Sequence, residues 1–439
     1  MCIHGMGPFF DGWDGQNVNY IVPALVAVFS LTAVEAGTAV SAAALGMMFG
    51  CFIAGPLADK LGRKTVFQLT LLIFSIFTAA CAFVWNFASL LVLRIIVGIG
   101  LGGELPVVAT LLGEFLPAKY RGRLIPVYQS FYAYGTVLAA ATVLLVLPAY
   151  GWQWAFIVCA IPALFVWVIR LLLPESPRWL VSKGKFDKAE KVMLTLERET
   201  ENNLKIKLPT IDVDNSTDQV LSPEASQRKV GLKDLFAGAY KRRTITTFAY
   251  WFVLWVGGHG GIWGGVFLIM FLTTKFPLAT AIWFGLIMTL ATAPGYYISA
   301  YLLEKIGRKL TICLYTLLTG VALFFFPRVT TVPELLGLGL VIQAVTTGGA
   351  GSIFTWVSEQ FPTHLRATGT GWASGIGRLG MFIAGPIAGF LISTLGWVNA
   401  YATAAAICVL AAVIVMLGIE TKGKSLEQLE AEAFLRLGE

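Results

Sequence analysis

The sequence predicts an all-α membrane protein: twelve transmembrane helices arranged as two pseudo-symmetric six-helix bundles. Three observations lead there. The 439 residues are 57% hydrophobic and 13% charged, with a mean hydropathy of +0.75. Soluble domains carry about 25% charged residues, so lipid must solvate most of this surface. Apolar runs of about 20 residues, enough to cross a bilayer, recur in two sets of six. The second half also repeats the first at a constant offset of 245 positions, Gly55-Pro-Leu-Ala-Asp-Lys-Leu-Gly-Arg-Lys64 returning as Ala300-Tyr-Leu-Leu-Glu-Lys-Ile-Gly-Arg-Lys309. Glu114, Pro117 and Arg121 return as Glu359, Pro362 and Arg366, Gly151-Trp152 as Gly396-Trp397, and Pro174-Glu175-Ser176 as Ile419-Glu420-Thr421.

Taken in order, the first six spans fall near 9–31, 38–58, 66–85, 88–113, 124–147 and 153–173, and the second six near 244–272, 278–303, 310–327, 334–357, 367–394 and 397–418. The predicted organisation is an N-terminal bundle over 1–173, a linker over 174–241, a C-terminal bundle over 242–419 and a tail over 420–439. The linker is the one substantial hydrophilic stretch. Its Lys183 to Glu201 segment has helical spacing, and the Asp/Asn/Ser-rich run after it has the composition of a disordered segment. Orientation follows the bias of basic residues toward the cytoplasmic side. Lys60, Arg63, Lys64, Lys119, Arg121, Arg123, Lys305, Arg308, Lys309 and Arg366 lie in loops on one side, against Lys275 and Arg328 on the other. Both termini and the linker are therefore expected in the cytoplasm. The first span begins almost at the start of the chain, with acidic residues and no basic leader. That argues against a cleavable signal and for a cytoplasmic tail upstream.

The formal charge of +7 is read as a topogenic and lipid-facing signal, with no nucleic acid expected. The six cysteines, Cys2, Cys51, Cys81, Cys159, Cys313 and Cys408, have neither disulfide nor metal-ligand spacing and read as small core residues. No nucleophile elbow, metal cluster or phosphate loop appears. Glycine-rich Gly98 to Gly103 follows Arg94 inside an apolar span and does not sit at a strand-to-helix turn, so a dinucleotide site is excluded. An enzyme is not expected, nor any cofactor or metal. Parallel repeats of this size in a membrane protein point instead to a transporter with its site between the halves.

At Gly55 to Lys64, Pro174-Glu-Ser-Pro-Arg-Trp-Leu180 and Glu420-Thr-Lys-Gly423 the chain resembles the major facilitator superfamily over essentially its full length. Three further stretches narrow the likeness: Phe10-Asp-Gly-Trp-Asp14, Gly98 to Val107, and Glu359 to Gly369. They resemble metabolite:proton symporters similar to niacin transporters and to synaptic vesicle glycoprotein 2 relatives. The paired aspartates are also similar to those of aromatic acid:proton symporters. Sugar porters share the loop signatures, but their paired glutamines in the seventh helix have no match in Tyr250 to Gly265.

The candidate site residues are charges and rings inside apolar spans. Asp11 and Asp14 are three positions apart and share a helix face. An ionised carboxylate at the helix centre costs about 2.5–3.5 kcal/mol on insertion scales, so this face is expected to meet water, a cation or a proton. Asp11, Asp14 and Arg94 are the candidates for proton coupling. The resemblance implies that role for Arg94, although many sugar porters use the same position structurally. His259, the histidine inside an apolar span, is the repeat counterpart of Asp14 and is expected at the central cavity. Arg378 lies well inside the eleventh span. Its planar fork suits a carboxylate substrate, and niacin-transporter-like proteins have an arginine at the matching place. The competing reading for Arg378 is an ion pair with Glu104, an acid embedded in the fourth span; Glu104 is also a candidate partner of Arg94. Tyr132, Trp255 and Trp356 are the aromatic candidates for substrate contact, with packing as the alternative.

The loop motifs are assigned to gating. Gly55 is expected to let helices approach, Gly62 to allow a tight turn, and Asp59 to accept from facing donors, while Arg63 holds the loop at anionic headgroups. By resemblance Glu114, Arg121, Glu359 and Arg366 join Asp59, Arg63, Glu304 and Arg308 in an inner gate. Ala300 and Glu304 replace the glycine and aspartate of the first copy, so a weaker or differently spaced latch is expected in the second half. The leading expectation is a multi-pass cell-membrane protein, a monomer, taking up a small aromatic or nicotinate-like organic anion with protons by alternating access. The alternatives are a sugar or polyol porter, and a non-transporting receptor of the same fold.

Overall fold

The computed structural model describes residues 2–422 except 116–117, 162–163, 166–167, 169–173, 206–234, 237, 239, 258–261 and 362. For Asp59, Glu114, Arg121 and Arg366 it describes the backbone alone. The chain is nearly all helix. The first half runs α1 (Cys2–Phe29), α2 (Ala33–Leu61), α3 (Arg63–Ala80), α4 (Phe87–Phe115), α5 (Ala118–Tyr150) and α6 (Trp152–Val158). Two short linker helices follow, α7 (Pro177–Ser182) and α8 (Phe186–Leu204). The second half runs α9 (Tyr240–Gly257), a π turn (Ile262–Val266), α10 (Phe267–Lys275), α11 (Leu278–Thr289), α12 (Thr292–Lys305), α13 (Arg308–Phe325), α14 (Val332–Gln360) and α15 (Thr363–Met416).

Among the described residues eight helical stretches are long and apolar enough to cross a membrane. They correspond to the second, third, fourth, fifth, eighth, ninth and tenth spans, plus one stretch, Thr368–Met416, that is two spans broken at Gly396 (φ 75°). The first span is α1, the sixth begins with α6, and the seventh is divided between α9 and α10, which completes the twelve.

Hydropathy located the crossings but smoothed over breaks made by local chemistry. The eighth span is two helices because Pro294, lacking an N–H, sits in the first turn of α12, and the preceding turn closes with short bonds from Leu290 to Ile287 and from Ala291 to Met288. The linker segment read as helical between Lys183 and Glu201 lies mostly in α8. The polar run after it lies outside the described residues.

Without a hydrophobic drive between helices in lipid, close packing of small residues holds the bundle together. On α2 and α4 the backbones touch. A Cβ on Gly46 would lie 1.9 Å from the Ile95 carbonyl oxygen, and one on Gly98 would lie 2.0 Å from that of Ala43.

The duplicated motifs share their turn and their capping carboxylate. Gly62 (φ 103°) and Gly307 (φ 98°) adopt a left-handed turn that only glycine takes without strain, and each opens a helix, α3 and α13. Glu175 accepts the first N–H groups of α3, from Arg63 at 3.0 Å and Lys64 at 3.2 Å. Glu420 does the same for α13, from Arg308 at 2.9 Å and Lys309 at 3.0 Å. A carboxylate on unsatisfied helix N-terminal donors is the favourable match of charge and dipole.

Candidate site between the two halves

A cavity of about 130 Å³ opens between the halves. A single water needs on the order of 10–15 Å³ of such space, so this one admits a small molecule. α1 supplies Asp11, Gly15, Gln16 and Asn19, spaced to lie along one face. Arg94 on α4 and Gln129 and Tyr132 on α5 complete the wall of the first half, together with Met47 and its neighbours on α2. The second half contributes Trp255 (α9), Tyr296 (α12), Gln343, Thr346 and Thr347 (α14), and Arg378 and Met381 (α15).

Two arginines meet this space differently. Arg94 donates from Nη1 to Asp14 Oδ2 at 2.9 Å, and Thr78 donates from its hydroxyl to Oδ1 at 3.1 Å. Both partners of this ion pair are almost fully buried. Breaking it by removing one partner would strand the other charge. Arg378 is 7% exposed and has no carboxylate within ion-pair distance among the described residues, Asp11 acting on it only at longer range. Its guanidinium lies 5.3 Å from the centre of the Trp255 ring and touches the Met381 sulfur at 3.9 Å, while its Nε is buried without a partner. A cation on an indole face gains about 0.5–2 kcal/mol, well short of a carboxylate's offer. Gly377 makes the stacking possible: a Cβ there would lie 2.9 Å from the Trp255 ring.

Of the expected site residues, Asp11, Arg94, Tyr132, Trp255 and Arg378 are brought together at the cavity. Three are not. Asp14 is sealed behind the wall by Arg94 and Thr78. Glu104 pairs with neither arginine, and its carboxyl rests against the backbone of Gly7, where a Cβ would lie 1.8 Å from Oε1. Trp356 is fully buried near the motif loops, where its indole N–H donates to the Ile419 carbonyl at 2.9 Å. His259 lies outside the described residues. Sequence reasoning missed the uncharged polar wall: Gln16, Asn19, Gln129, Tyr296, Gln343, Thr346 and Thr347. Amides inside apolar spans were the available signal, but nothing in one sequence says which face of a span looks inward.

At the motif face Arg308 grips Glu359 with two parallel hydrogen bonds of 3.1 Å, and Thr421 donates its hydroxyl to the same carboxylate. In the second half, Arg308 and Glu359 thus form a bidentate pair. Glu304 is exposed on that face. The side chains of Asp59, Glu114, Arg121 and Arg366 lie outside the described residues, so the first copy offers no comparison. Arg63 donates to the Ala58 carbonyl at 3.1 Å, as Arg308 does to that of Leu303 at 3.2 Å. Among the described residues Gly55 mediates no close approach, since a Cβ there would meet none of them within 4 Å. At the opposite face α2 and α15 meet backbone to backbone, a Cβ on Gly37 lying 2.2 Å from the Gly385 oxygen, and Tyr20 shares a 2.9 Å hydrogen bond with Thr289.

The family described as sugar (and other) transporter matches residues 2–433. The niacin transporter NiaP of Acinetobacter baylyi is 37% identical over 98% of this chain and 95% of its own length. The 4-hydroxybenzoate transporter PcaK of the same organism is 28% identical over 85% and 80% respectively. The inward-open xylose transporter XylE from E. coli superposes with a TM-score of 0.74 at 21% identity, covering 98% of both chains, a likeness of fold. With twelve spans in two repeated halves around a central cavity and a match along almost its whole length, the chain belongs to the sugar (and other) transporter family, whose members are membrane transporters and not enzymes.

Proposed function

We propose that this transporter takes up a small aromatic carboxylate, nicotinate-like in size, together with protons. One observation carries the reading: the Arg378 guanidinium lies beside an indole at the cavity wall without a carboxylate partner among the described residues. A buried guanidinium is costly unless paired, and a ligand carboxylate supplies the missing partner while its ring lies among Trp255, Tyr132 and Tyr296. The names of similar proteins, transporters of niacin and 4-hydroxybenzoate, support the same class. Proton coupling draws on Asp11, which faces the cavity, and on the Asp14–Arg94 pair directly behind it. A proton arriving at this cluster changes its charge and so the balance between the outward and inward states.

A sugar or polyol reading draws on Gln16, Gln129 and Gln343, whose amides suit hydroxyl groups. It leaves Arg378 unpaired in the loaded site, and for that reason ranks second. The location in the cell membrane, with termini and motif loops on the cytoplasmic side and the protein acting as a monomer, belongs to the same proposal.

The test is uptake into proteoliposomes from a panel of nicotinate, 4-hydroxybenzoate, benzoate, nicotinamide and xylose, with and without a pH gradient. Carboxylates should be accumulated and the neutral compounds should not. Arg378→Ala should abolish that selectivity, with Arg378→Lys restoring little because the fork is lost. Equal uptake by wild type and Arg378→Ala overturns the reading.

A further inference from the structure

One intramembrane carboxyl is left without a task. Glu104 on α4 is 3% exposed and lies outside the cavity wall. Among the described residues no hydrogen bond or ion pair reaches its carboxyl group. The described groups beside it and beside its neighbours Gly102 and Gly103 come from α1, α5, α2 and α3. α1 presents Asp11. α5 presents Tyr128, whose buried hydroxyl has no partner among the described residues. On α2, Cys51 donates to the Gly102 carbonyl, and on α3, Thr70 donates to that of Phe67. Arg94, earlier on α4, is committed to Asp14. No described cation balances Glu104, so the arrangement suits a neutral, protonated acid.

Its position is as telling as its isolation. The carboxyl touches α1 at Gly7. Gly7 and Asp11 share a face one helical turn apart, about 6 Å along the axis. Glu104 therefore stands one turn below Asp11, toward the motif face, while Asp11 looks into the cavity.

We propose that Glu104 is a proton relay between Asp11 and the solution at the motif face, an inference that rests on the proton-coupled reading above. When the motif side opens, the Glu104 O–H breaks and its proton leaves to water. The resulting carboxylate then takes the proton from the Asp11 carboxyl, forming a new O–H on Glu104 and leaving Asp11 ionised beside the arginines. One proton enters from the cavity, one leaves at the motif face, and no redox partner is required. Gly7 is the enabling neighbour, since a methyl group there would displace the carboxyl from α1.

Two measurements test this. In bilayer nanodiscs, infrared difference spectra of the protein without substrate should show a protonated-carboxyl stretch at neutral pH that Glu104→Gln removes. In proteoliposomes carrying nicotinate or 4-hydroxybenzoate, with pH set separately on the two sides, Glu104→Gln should lose the dependence of transport on motif-side pH while keeping that on cavity-side pH. Glu104→Asp should restore part of it, and Gly7→Ala should reproduce the loss with the carboxyl still present. A purely structural role would alter both pH dependences together and leave no missing carboxyl band. Retention of the motif-side dependence, or an unchanged spectrum, in Glu104→Gln overturns the relay. A wild type that transports either acid without responding to a pH gradient overturns proton coupling and the relay with it, and a wild type that carries neither acid overturns the substrate reading as well.

Discussion

Arg378 and Arg94 are both buried arginines in apolar spans, and their neighbours give them opposite characters. Arg94 has a fixed partner, so Asp14→Asn strands a guanidinium in the protein interior. The expected cost is about 3–5 kcal/mol, read as a fall in the thermal unfolding temperature in detergent, and Asp14→Asn with Arg94→Met should recover most of it. The same Asp14→Asn protein, if it still accumulates substrate in response to external acid, removes Asp14 from the coupling cluster. Glu420 offers a pH-dependent counterpart outside the membrane. Partial burial pushes its carboxyl up, but backbone N–H groups of Arg308, Lys422, Lys309 and Thr421 outweigh that and hold it below the ordinary carboxylate range. A depressed value means that its stabilisation is present above the ordinary value of 4.5 and is lost as pH falls through the lowered one. Protection of the Arg308 and Lys309 amides, measured against their intrinsic exchange rates, should therefore fall in acid, and Glu420→Gln should show low protection already at neutral pH.

At the level of helices, function rests on where backbones are allowed to touch. Gly37 and Gly385 close the face opposite the motifs with contacts that leave no room for a side chain. Gly37→Leu should wedge that face open. The variant is expected in the membrane at near-normal level but without transport, and a single-cysteine reporter near Thr289 should label faster from that side. Gly62 is required for a different reason, its positive φ and the Glu175 carboxylate lying 2.3 Å from where a Cβ would stand. Gly62→Ala combines left-handed strain with loss of the cap on α3, about 1–2 kcal/mol in all, measurable as a lowered unfolding temperature. The turn at Gly62 and its repeat Gly307 was legible in the motif itself. The close approach expected at Gly55 has no partner among the described residues, because packing distance is a property of two helices and the sequence shows one at a time.

For the whole molecule, the scaffold is symmetric and the site is not. Capping carboxylates, left-handed glycines and arginine-to-carbonyl bonds recur in both halves at the same register. In the cavity the repeat counterparts of Asp11, Arg94 and Arg378 are Val256, Gly339 and Ala133, so each charge appears once. A symmetric frame lets two bundles rock about a central axis, and an asymmetric site gives the ligand one orientation. The Arg308–Glu359 pair belongs to the frame at the motif face. Because it is partly exposed, its intrinsic worth is modest, about 1 kcal/mol or less. A shift of that size moves a balanced two-state equilibrium by up to about fivefold. Arg308→Gln should raise motif-side labelling of a cysteine reporter by that order, and unchanged labelling would remove the pair from the gate.

The sequence by itself determined the fold class, the doubled architecture, the family and the chemistry available in the membrane. These are written in hydropathy, in a constant repeat offset and in charges too costly to lie in apolar spans without a purpose. It placed Asp11, Arg94 and Arg378 on the list of intramembrane groups. Only the tertiary structure decided their partners: Arg94 with Asp14 and not Glu104, Arg378 with an indole and not an acid, and Trp356 with the end of the twelfth span and not the cavity. The reason is rotational. A span of about 20 residues makes more than five turns, its apolar pattern leaves the azimuth of each side chain nearly undetermined when lipid and protein are equally apolar, and the azimuth is fixed only where another helix packs against it.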